Sequence, residues 1–445
     1  MSSSSILLRN LLVETKDGEW GQAEPFDGSV EMAVIRGTDF DTAKKSHLKG
    51  VPVRHIAGKA ASRKTLQPFD ILIETAGGSK GKPTGKTTFL RPALFERSVL
   101  PITCASFARF LRIDATRADP EFVYWYLQSL YLSGVIENYQ VQHTGIARFQ
   151  FTKFADSLEI DLPPIDDQMQ VSAFLGSIED RITLLRETNA TLEALAQALF
   201  KSWFVDFDPV RAKAEGLELE GLDAATAALF PDSFEESELG LVPRGWMVRS
   251  LDSIANYLNG LAMQKFPPTD DGWLPVIKIA QLRKGNTVGA DRAGRNIKTE
   301  YIIQNGDVLF SWSGSLEVVI WCGGEGALNQ HLFKVTSKDF PKWFYYLWTR
   351  QHLTDFQQTA ASKATTMGHI QRKHLTAAKV VVPPAEMLRS AGVLIEPLLE
   401  RWLVNAEKAQ TLTQLRDTLL PRLISGQLRL PETEASIENI LSEAI

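Results

Sequence analysis

The hydrophobic positions between Asp166 and Asp206 follow a single rule. Leu175, Ile178, Ile182, Leu185, Leu192, Leu195 and Leu199 are spaced by three, four or seven residues. That is the seam of a heptad helix, with the polar Asn189 in its middle. Pro163-Pro164 stands just before it, and Gly176 is the only Gly or Pro inside it. At 1.5 Å per residue the helix would be roughly 50 Å long. Helices of globular domains average about 11–12 residues, so a rod of this length with one apolar face needs a partner helix.

The partner lies in the same chain. A shift of 220 positions carries Pro163-Pro164 onto Pro383-Pro384, and Leu175, Ile178 and Ile182 onto Ile395, Leu398 and Trp402. It also carries Leu192, Leu195 and Leu199 onto Leu412, Leu415 and Leu419. The register holds without a gap. Two modules are therefore expected, each a variable region followed by a long helix. Asn405 replaces Leu185 in the second seam, and Pro397 falls inside it. A kink is expected there, or a restart with Pro397 in the first turn. The sequence leaves open whether Asn189 faces Ala409 or Asn405. Gly426 is placed to cap the second helix.

The variable regions read as mixed α/β structure with short strands. Val34-Ile35 and Asp70-Ile71-Leu72-Ile73 predict strands, and Glu121 to Leu132 predicts a helix after Asp119-Pro120. The regions echo each other loosely. Leu7 to Leu12 resembles Leu251 to Asn256, and Val34-Ile35-Arg36 resembles Val276-Ile277-Lys278. Asp70 to Glu74 resembles Asp307 to Ser311, each followed by a Gly/Ser turn. Strict helices and loose modules suit a common frame carrying two recognition surfaces.

The boundaries read as follows. Residues 1–165 form the first module, 166–206 the first helix and 207–242 an acidic linker with a short helix from Ala224 to Leu229. Residues 243–385 form the second module, 386–428 the second helix and 429–445 an acidic, loose tail.

Charge changes the picture. The chain carries a formal net charge of −5, which alone argues against nucleic acid. Its distribution reverses that. Residues 1–163 hold 20 Lys+Arg against 18 Asp+Glu, and 36–97 hold 13 against 5. Residues 164–242 hold 5 against 16, residues 243–384 hold 17 against 10, and the remainder 6 against 9. The modules are basic and the helices acidic, and a basic cleft binds phosphates whatever the global sum. Cys104 and Cys322, one in each half, make neither a disulfide framework nor a zinc site. The start Met1 to Ser5 lacks a signal peptide's basic region, and no apolar run spans a membrane, so a cytoplasmic location is expected.

Candidate chemistry is sparse. Gly81-Lys82-Pro83-Thr84-Gly85-Lys86-Thr87 ends like a phosphate-binding loop, but has three residues between its glycines where four are needed. Thr88 to Pro92 is also not a helix start. An NTP-hydrolysing enzyme built on Gly85-Lys86-Thr87 is the alternative reading; a coiled-coil adaptor that does not touch DNA is a third. No methyltransferase turn, metal spacing or nucleophile constellation is present, so the chain is read as non-catalytic.

Polar clusters precede both Pro-Pro pairs. Gln142, His143, Thr144, Arg148 and Gln150 stand before the first. Lys363, Thr365, His369, Gln371, Arg372 and Lys373 stand before the second. Such side chains read base edges and phosphates, and their recurrence at matched positions strengthens the reading. Arg36, Lys44, Lys80, Lys82 and Lys86 in the first module complete the candidate DNA-binding set, with Lys278, Arg283, Ser313 and Ser315 in the second.

With these features in place, the chain resembles the specificity subunit of type I restriction-modification systems. The resemblance rests on Thr144-Gly145-Ile146, Leu162-Pro163-Pro164 leading into the helix, and the run Phe200 to Val210. Phe230-Pro231-Asp232, Pro243-Arg244-Gly245-Trp246, the two Asp-led strands and the ending Leu420 to Leu428 add to it. It covers nearly the whole chain. It implies two mixed α/β target recognition domains, each followed by a long helix. The two helices would pair as an antiparallel coiled coil with internal pseudo-two-fold symmetry. It implies double-stranded DNA with a split target site, two methyltransferase subunits and ATP-driven restriction subunits as partners. S-adenosylmethionine, ATP and Mg would sit on those partners and no cofactor on this chain. A rod of roughly 50 Å exceeds a DNA turn of about 34–36 Å, so two short sequences with an unread spacer are expected.

Overall fold

The structure is a computed structural model. It describes residues 4–77, 83–142, 146–218, 221–269, 272–362 and 368–430. The chain forms two compact units, Met1–Thr183 with Leu412–Ile445, and Leu184–Thr411. Each contains one variable module and parts of both long helices.

The long helices run Ile165–Phe204 and Ala385–Ile424, 40 residues each, or about 60 Å at 1.5 Å per residue. Both start directly behind a Pro-Pro pair, where proline holds the preceding backbone extended. They run antiparallel. In the first unit Val171 and Leu175 share a core with Leu419, Leu420 and Leu423, and Glu179 pairs with Arg416. In the second unit Asn189 Nδ2 donates to the Trp402 carbonyl at 2.8 Å, while Ala196 and Phe200 share a core with Leu399 and Ile395.

The expected break at Pro397 is absent: the second helix is continuous through it. A proline frees the carbonyl four residues back, here that of Val393. Val393 is 73% exposed and Pro397 lies on the exposed face, so water can satisfy that carbonyl while the helix continues. Gly426, with φ +70° and its N–H donating to the Leu423 carbonyl at 3.1 Å, closes this helix.

The modules repeat one topology. The strand entering each module pairs antiparallel with the strand before Pro-Pro. In the first unit these are Ser4–Leu7 with Glu159–Leu162, and in the second Met247–Ser250 with Lys379–Val382. Each module has a four-stranded antiparallel sheet. The first orders its strands as Leu12–Asp17, Ala108–Ile113, Ile71–Glu74 and Thr87–Phe89. The second orders them as Asn256–Asn259, Leu332–Thr336, Val308–Ser311 and Val318–Ile320. A second sheet holds the parallel pairs Ala33–Ile35 with Ile102–Cys104, and Val276–Ile277 with Ala327–Leu328.

The Asp that opens the strand recurs for a local reason. Asp70 accepts the Gln67 N–H at 2.7 Å and bonds from Arg112 Nε and Nη2. Asp307 accepts the Gln304 N–H at 2.8 Å and pairs with Lys334 at 2.7 Å. Each carboxylate closes the turn into its strand and ties it to the central strand.

The helix after Asp119 runs Pro120–Leu132, capped by the Asp119 carboxylate on the Phe122 N–H. Residues 207–242 do more than connect. They form helices Asp208–Ala214 and Ala224–Ala228 and a hairpin of Phe234–Ser237 with Gly240–Pro243. They also bury Phe207, Val210, Phe230 and Val242 in the second core beside Phe204 and Trp246. The tail beyond Leu430 lies outside the described residues.

Candidate nucleic-acid interface

The same backbone junction occurs in both units, and it carries the described members of the polar clusters. In the first unit the chain leaves strand Ile71–Glu74 and makes two pairings with the segment before Pro-Pro, Ala76 with Arg148 and Gly77 with Ala147. The Phe149 N–H donates to the Thr75 carbonyl at 2.9 Å. In the second unit the chain leaves Val308–Ser311, and Ser313 bridges His369. The Ile370 N–H donates to the Trp312 carbonyl, and the Gly314 N–H to the Gly368 carbonyl, both at 2.9 Å. Thr75 and Trp312, Phe149 and Ile370, and Gln150 and Gln371 are thus structural equivalents.

Gly77 shows how closely the first junction is packed. A Cβ there would meet the Glu74 carboxylate at 2.6 Å. Burial pushes the Glu74 carboxyl above its ordinary value, against the pull of Lys86.

Around the first junction the surface is cationic. An open groove of about 780 Å³ is lined by Arg109, Arg148, Gln150 and Lys153, with Phe107, Asp17 and Asp156. A neighbouring groove of about 590 Å³ shares Asp17 and Arg109 and adds Lys16, Lys59, Arg63 and Lys64. Some of these cations are locally paired: Lys16 with Glu14, Lys64 with Glu19 at 2.8 Å, and Arg109 with Asp17 at 2.7 Å. Arg148 and Lys153 are exposed and carry no ion pair among the described residues. Gln142 and Gln150 are exposed beside them.

The second junction is built from aromatic and imidazole rings. Trp312 donates its indole N–H to Asn259 Oδ1 at 2.9 Å and lies against His331, Phe333 and His369. Ser313, buried, shares a 3.0 Å hydrogen bond with His331 Nδ1. Ser315 is exposed at the turn tip, where its carbonyl accepts the Ser311 hydroxyl at 2.7 Å. Arg372 stacks over Phe333 at 5.8 Å and donates to the Tyr257 carbonyl at 3.1 Å. Gln371 and Lys373 are exposed next to it.

Other candidate residues sit elsewhere. Lys44 is turned inward, with its ammonium 2.9 Å from Glu179 and over the rings of Tyr124 and Trp125. Arg36 and Lys278 occupy equivalent positions before short helices. Arg36 pairs with Asp39 at 2.8 Å and Lys278 pairs with Asp291. Lys86 is held by Asp41 at 2.9 Å. Arg283 pairs at 3.3 Å with Glu317, which follows the second turn. Lys80, Lys82, His143, Thr144, Lys363 and Thr365 lie outside the described residues.

Sequence reasoning missed Arg109, Lys153, Phe107, Trp312 and His331. The equivalence of Phe107 and His331 needed strand register: each immediately precedes the central strand. Lys59 and Arg63 were hinted at by their four-residue spacing within the basic stretch.

The nucleotide-loop alternative fails on geometry. Thr87–Phe89 is a strand paired with Ile71–Ile73, and the next helix begins at Pro92. No helix N-terminus therefore follows to hold phosphates. Burial raises the Cys104 and Cys322 thiols to about 12, so neither is a nucleophile near neutral pH. Among the described residues no His, Cys, Asp and Glu group could hold a metal ion, and no helix is long and apolar enough to cross a membrane.

Comparison with known proteins yields three kinds of match. Residues 243–415 match the model of the type I restriction modification DNA specificity domain. The type I restriction enzyme HindI specificity subunit of Haemophilus influenzae is 27% identical over 320 residues, 61% of this chain and 69% of that one. The MjaIX specificity subunit of Methanocaldococcus jannaschii is 23% identical over 318 residues, 69% of each chain. The crystal structure of a type I restriction-modification S subunit from M. genitalium shares the fold, with TM-score 0.52 at 15% identity over 95% of this chain and 96% of that one.

Proposed function

The chain belongs to the family of type I restriction-modification specificity subunits, and from that premise we propose that each of its units reads one half of a split DNA site. As a specificity subunit it is the non-catalytic, DNA-recognising member of its system. The observation that carries the two-reader proposal is the recurrent junction. In both units the same main-chain bonds bring an exposed polar segment against the turn that follows the Asp-led strand. Main-chain bonds fix the junction, and the side chains project from it. Arg148, Gln150, Gln142 and the neighbouring cations serve the first half-site. Ser315, His369, Gln371, Arg372 and Lys373 serve the second.

Cations on this surface neutralise phosphates, and the amides, imidazoles and guanidinium groups address base edges. Arg36, Lys44 and Lys278, held by carboxylates, serve the frame. Methyltransferase subunits and ATP-driven restriction subunits assemble on the chain and supply the methyl-transfer and cleavage chemistry, with their cofactors.

The test is a module exchange. The chain is co-expressed with its methyltransferase partner, and residues 243–384 are replaced by those of a relative. Genome-wide N6-methyladenine mapping should then report a bipartite site with one half changed and the other retained. An unchanged site, or methylation without a split motif, would overturn the proposal.

A further inference from the structure

The two junctions differ most at one equivalent position. Phe107 and His331 each stand immediately before the central strand of their sheet. Their carbonyls accept equivalent bonds, from the Thr75 N–H at 2.8 Å and the Trp312 N–H at 3.3 Å. In the second unit the His331 ring is engaged. It meets the Ser313 hydroxyl at 3.0 Å and lies against the Trp312 ring. In the first unit the ring of Phe107 is 61% exposed. It has no ring partner among the described residues.

Phe107 contributes to the junction through its main chain, which any residue would supply. Its side chain buries little and stands in a groove lined by Arg109, Arg148 and Lys153. A solvated phenyl ring gains nothing for folding in that place, because the hydrophobic effect acts only on area removed from water. Ligands with both anionic groups and apolar faces suit such a groove, and DNA has both: phosphates for the cations, and base faces or thymine methyl groups for the ring.

We infer that Phe107 is a base-contacting, specificity-determining residue of the first unit, engaging an apolar face of a base where the second unit presents His331. This rests on the two-reader proposal above. It adds that one half-site is read partly by apolar contact, at a position where the second unit's ring is held within its own junction by Ser313, Gln330 and Trp312.

The experiment uses the complex of the full chain with its methyltransferase partner, on duplexes carrying the mapped site. Phe107→Ala should weaken binding about tenfold, the scale of one lost base contact. It should flatten discrimination at one or two positions of a single half-site and leave the other half-site as sharp as before. Phe107→Leu should retain most of the affinity. Two probes separate the forms of contact. Replacing thymines singly by deoxyuridine should weaken wild-type binding at a contacted methyl group and leave Phe107→Ala unaffected there. 2-Aminopurine should brighten on wild-type binding where the ring unstacks a step. Either response places the ring on a base.

Unchanged affinity and discrimination in Phe107→Ala would overturn the inference. So would a uniform loss across both half-sites, or a loss matched by a lower melting temperature of the free chain. A wild-type complex without a split site would instead overturn the two-reader proposal beneath it.

Discussion

The two units solve the same packing problem with opposite chemistry. The 220-residue repeat makes Glu179 of the first unit equivalent to Leu399 of the second, and Arg416 equivalent to Ala196. Where the helices cross in the first unit, Glu179, 8% exposed, pairs with Arg416 and with Lys44 at 2.9 Å. In the second unit Leu399 and Ala196 occupy those places inside an apolar core. Module and helix meet there instead through Glu193, which pairs with Arg350 at 2.7 Å and accepts the Tyr346 hydroxyl at 3.2 Å. One repeat thus accommodates a buried charge network or plain apolar packing at the same seam. A buried pair contributes little beyond what good apolar packing supplies, but losing one member is costly.

The largest effect should come from forcing one solution into the other's place. Leu399→Glu puts a carboxylate into apolar packing opposite Ala196, with no cation to meet it. It should destabilise the second unit by about 4 kcal/mol or more, the cost of an uncompensated buried charge. Denaturant unfolding monitored by tryptophan fluorescence would measure it. Adding Ala196→Arg should recover part of the loss; no recovery would mean that the two sites are not interchangeable.

Glu179→Gln comes next. It leaves Lys44 and Arg416 facing a neutral amide and should cost about 3 kcal/mol at neutral pH. Burial alone would raise the Glu179 carboxyl, but Lys44 and Arg416 outweigh it and hold the group below its ordinary 4.5. A depressed carboxyl contributes stability above its unfolded value and loses it as pH falls toward the folded one. The gap between wild type and Glu179→Gln should therefore be constant above about pH 5 and close below 4.5. A gap that does not narrow at all as pH falls below 4.5 would assign the loss to packing.

The smallest effect concerns a pair used in reversed roles. Arg109 on the central strand of the first unit stacks over Phe151 at 4.7 Å. At the equivalent places in the second unit, Phe333 on the strand receives Arg372 from the helix at 5.8 Å. Phe151→Leu keeps this buried place apolar and removes the ring under Arg109, and should cost about 1 kcal/mol. Arg109→Ala should cost about that much. A thermal melt measures both, and a much larger loss in Arg109→Ala than in Phe151→Leu would show that the Asp17 partner of Arg109 matters more than the ring.

Much of the frame was legible because it is periodic. The heptad spacing and its copy at +220 announce both helices, but the seam shifts beyond Asn189: Leu195 is 48% exposed, and Ala196 and Phe200 are buried instead. The Asp-led strands announce themselves because Asp70 and Asp307 perform the same local closure. The polar clusters before Pro-Pro were legible as a recurrence, and the junction explains it. What escaped depends on contacts distant in sequence. Lys44 reads as one more surface cation until Tyr124, Trp125 and Glu179 surround it. The acidic surface of residues 207–242 hid four apolar anchors of the second core. Pro397 looked like a break because spacing alone does not show that Val393 faces water.

The bonds that hold each junction join main-chain atoms, from Phe149 to Thr75 and from Ile370 to Trp312. Phe149 and Ile370 are themselves buried in the two cores, but the exposed side chains beside them, Arg148, Gln150 and Gln371, take no part in those bonds. The exposed positions proposed to address the bases should therefore be replaceable one at a time with little effect on folding. On the proposed reading, folding and target choice are under separate sequence control, so that a lineage can acquire new target sequences while its architecture stays fixed.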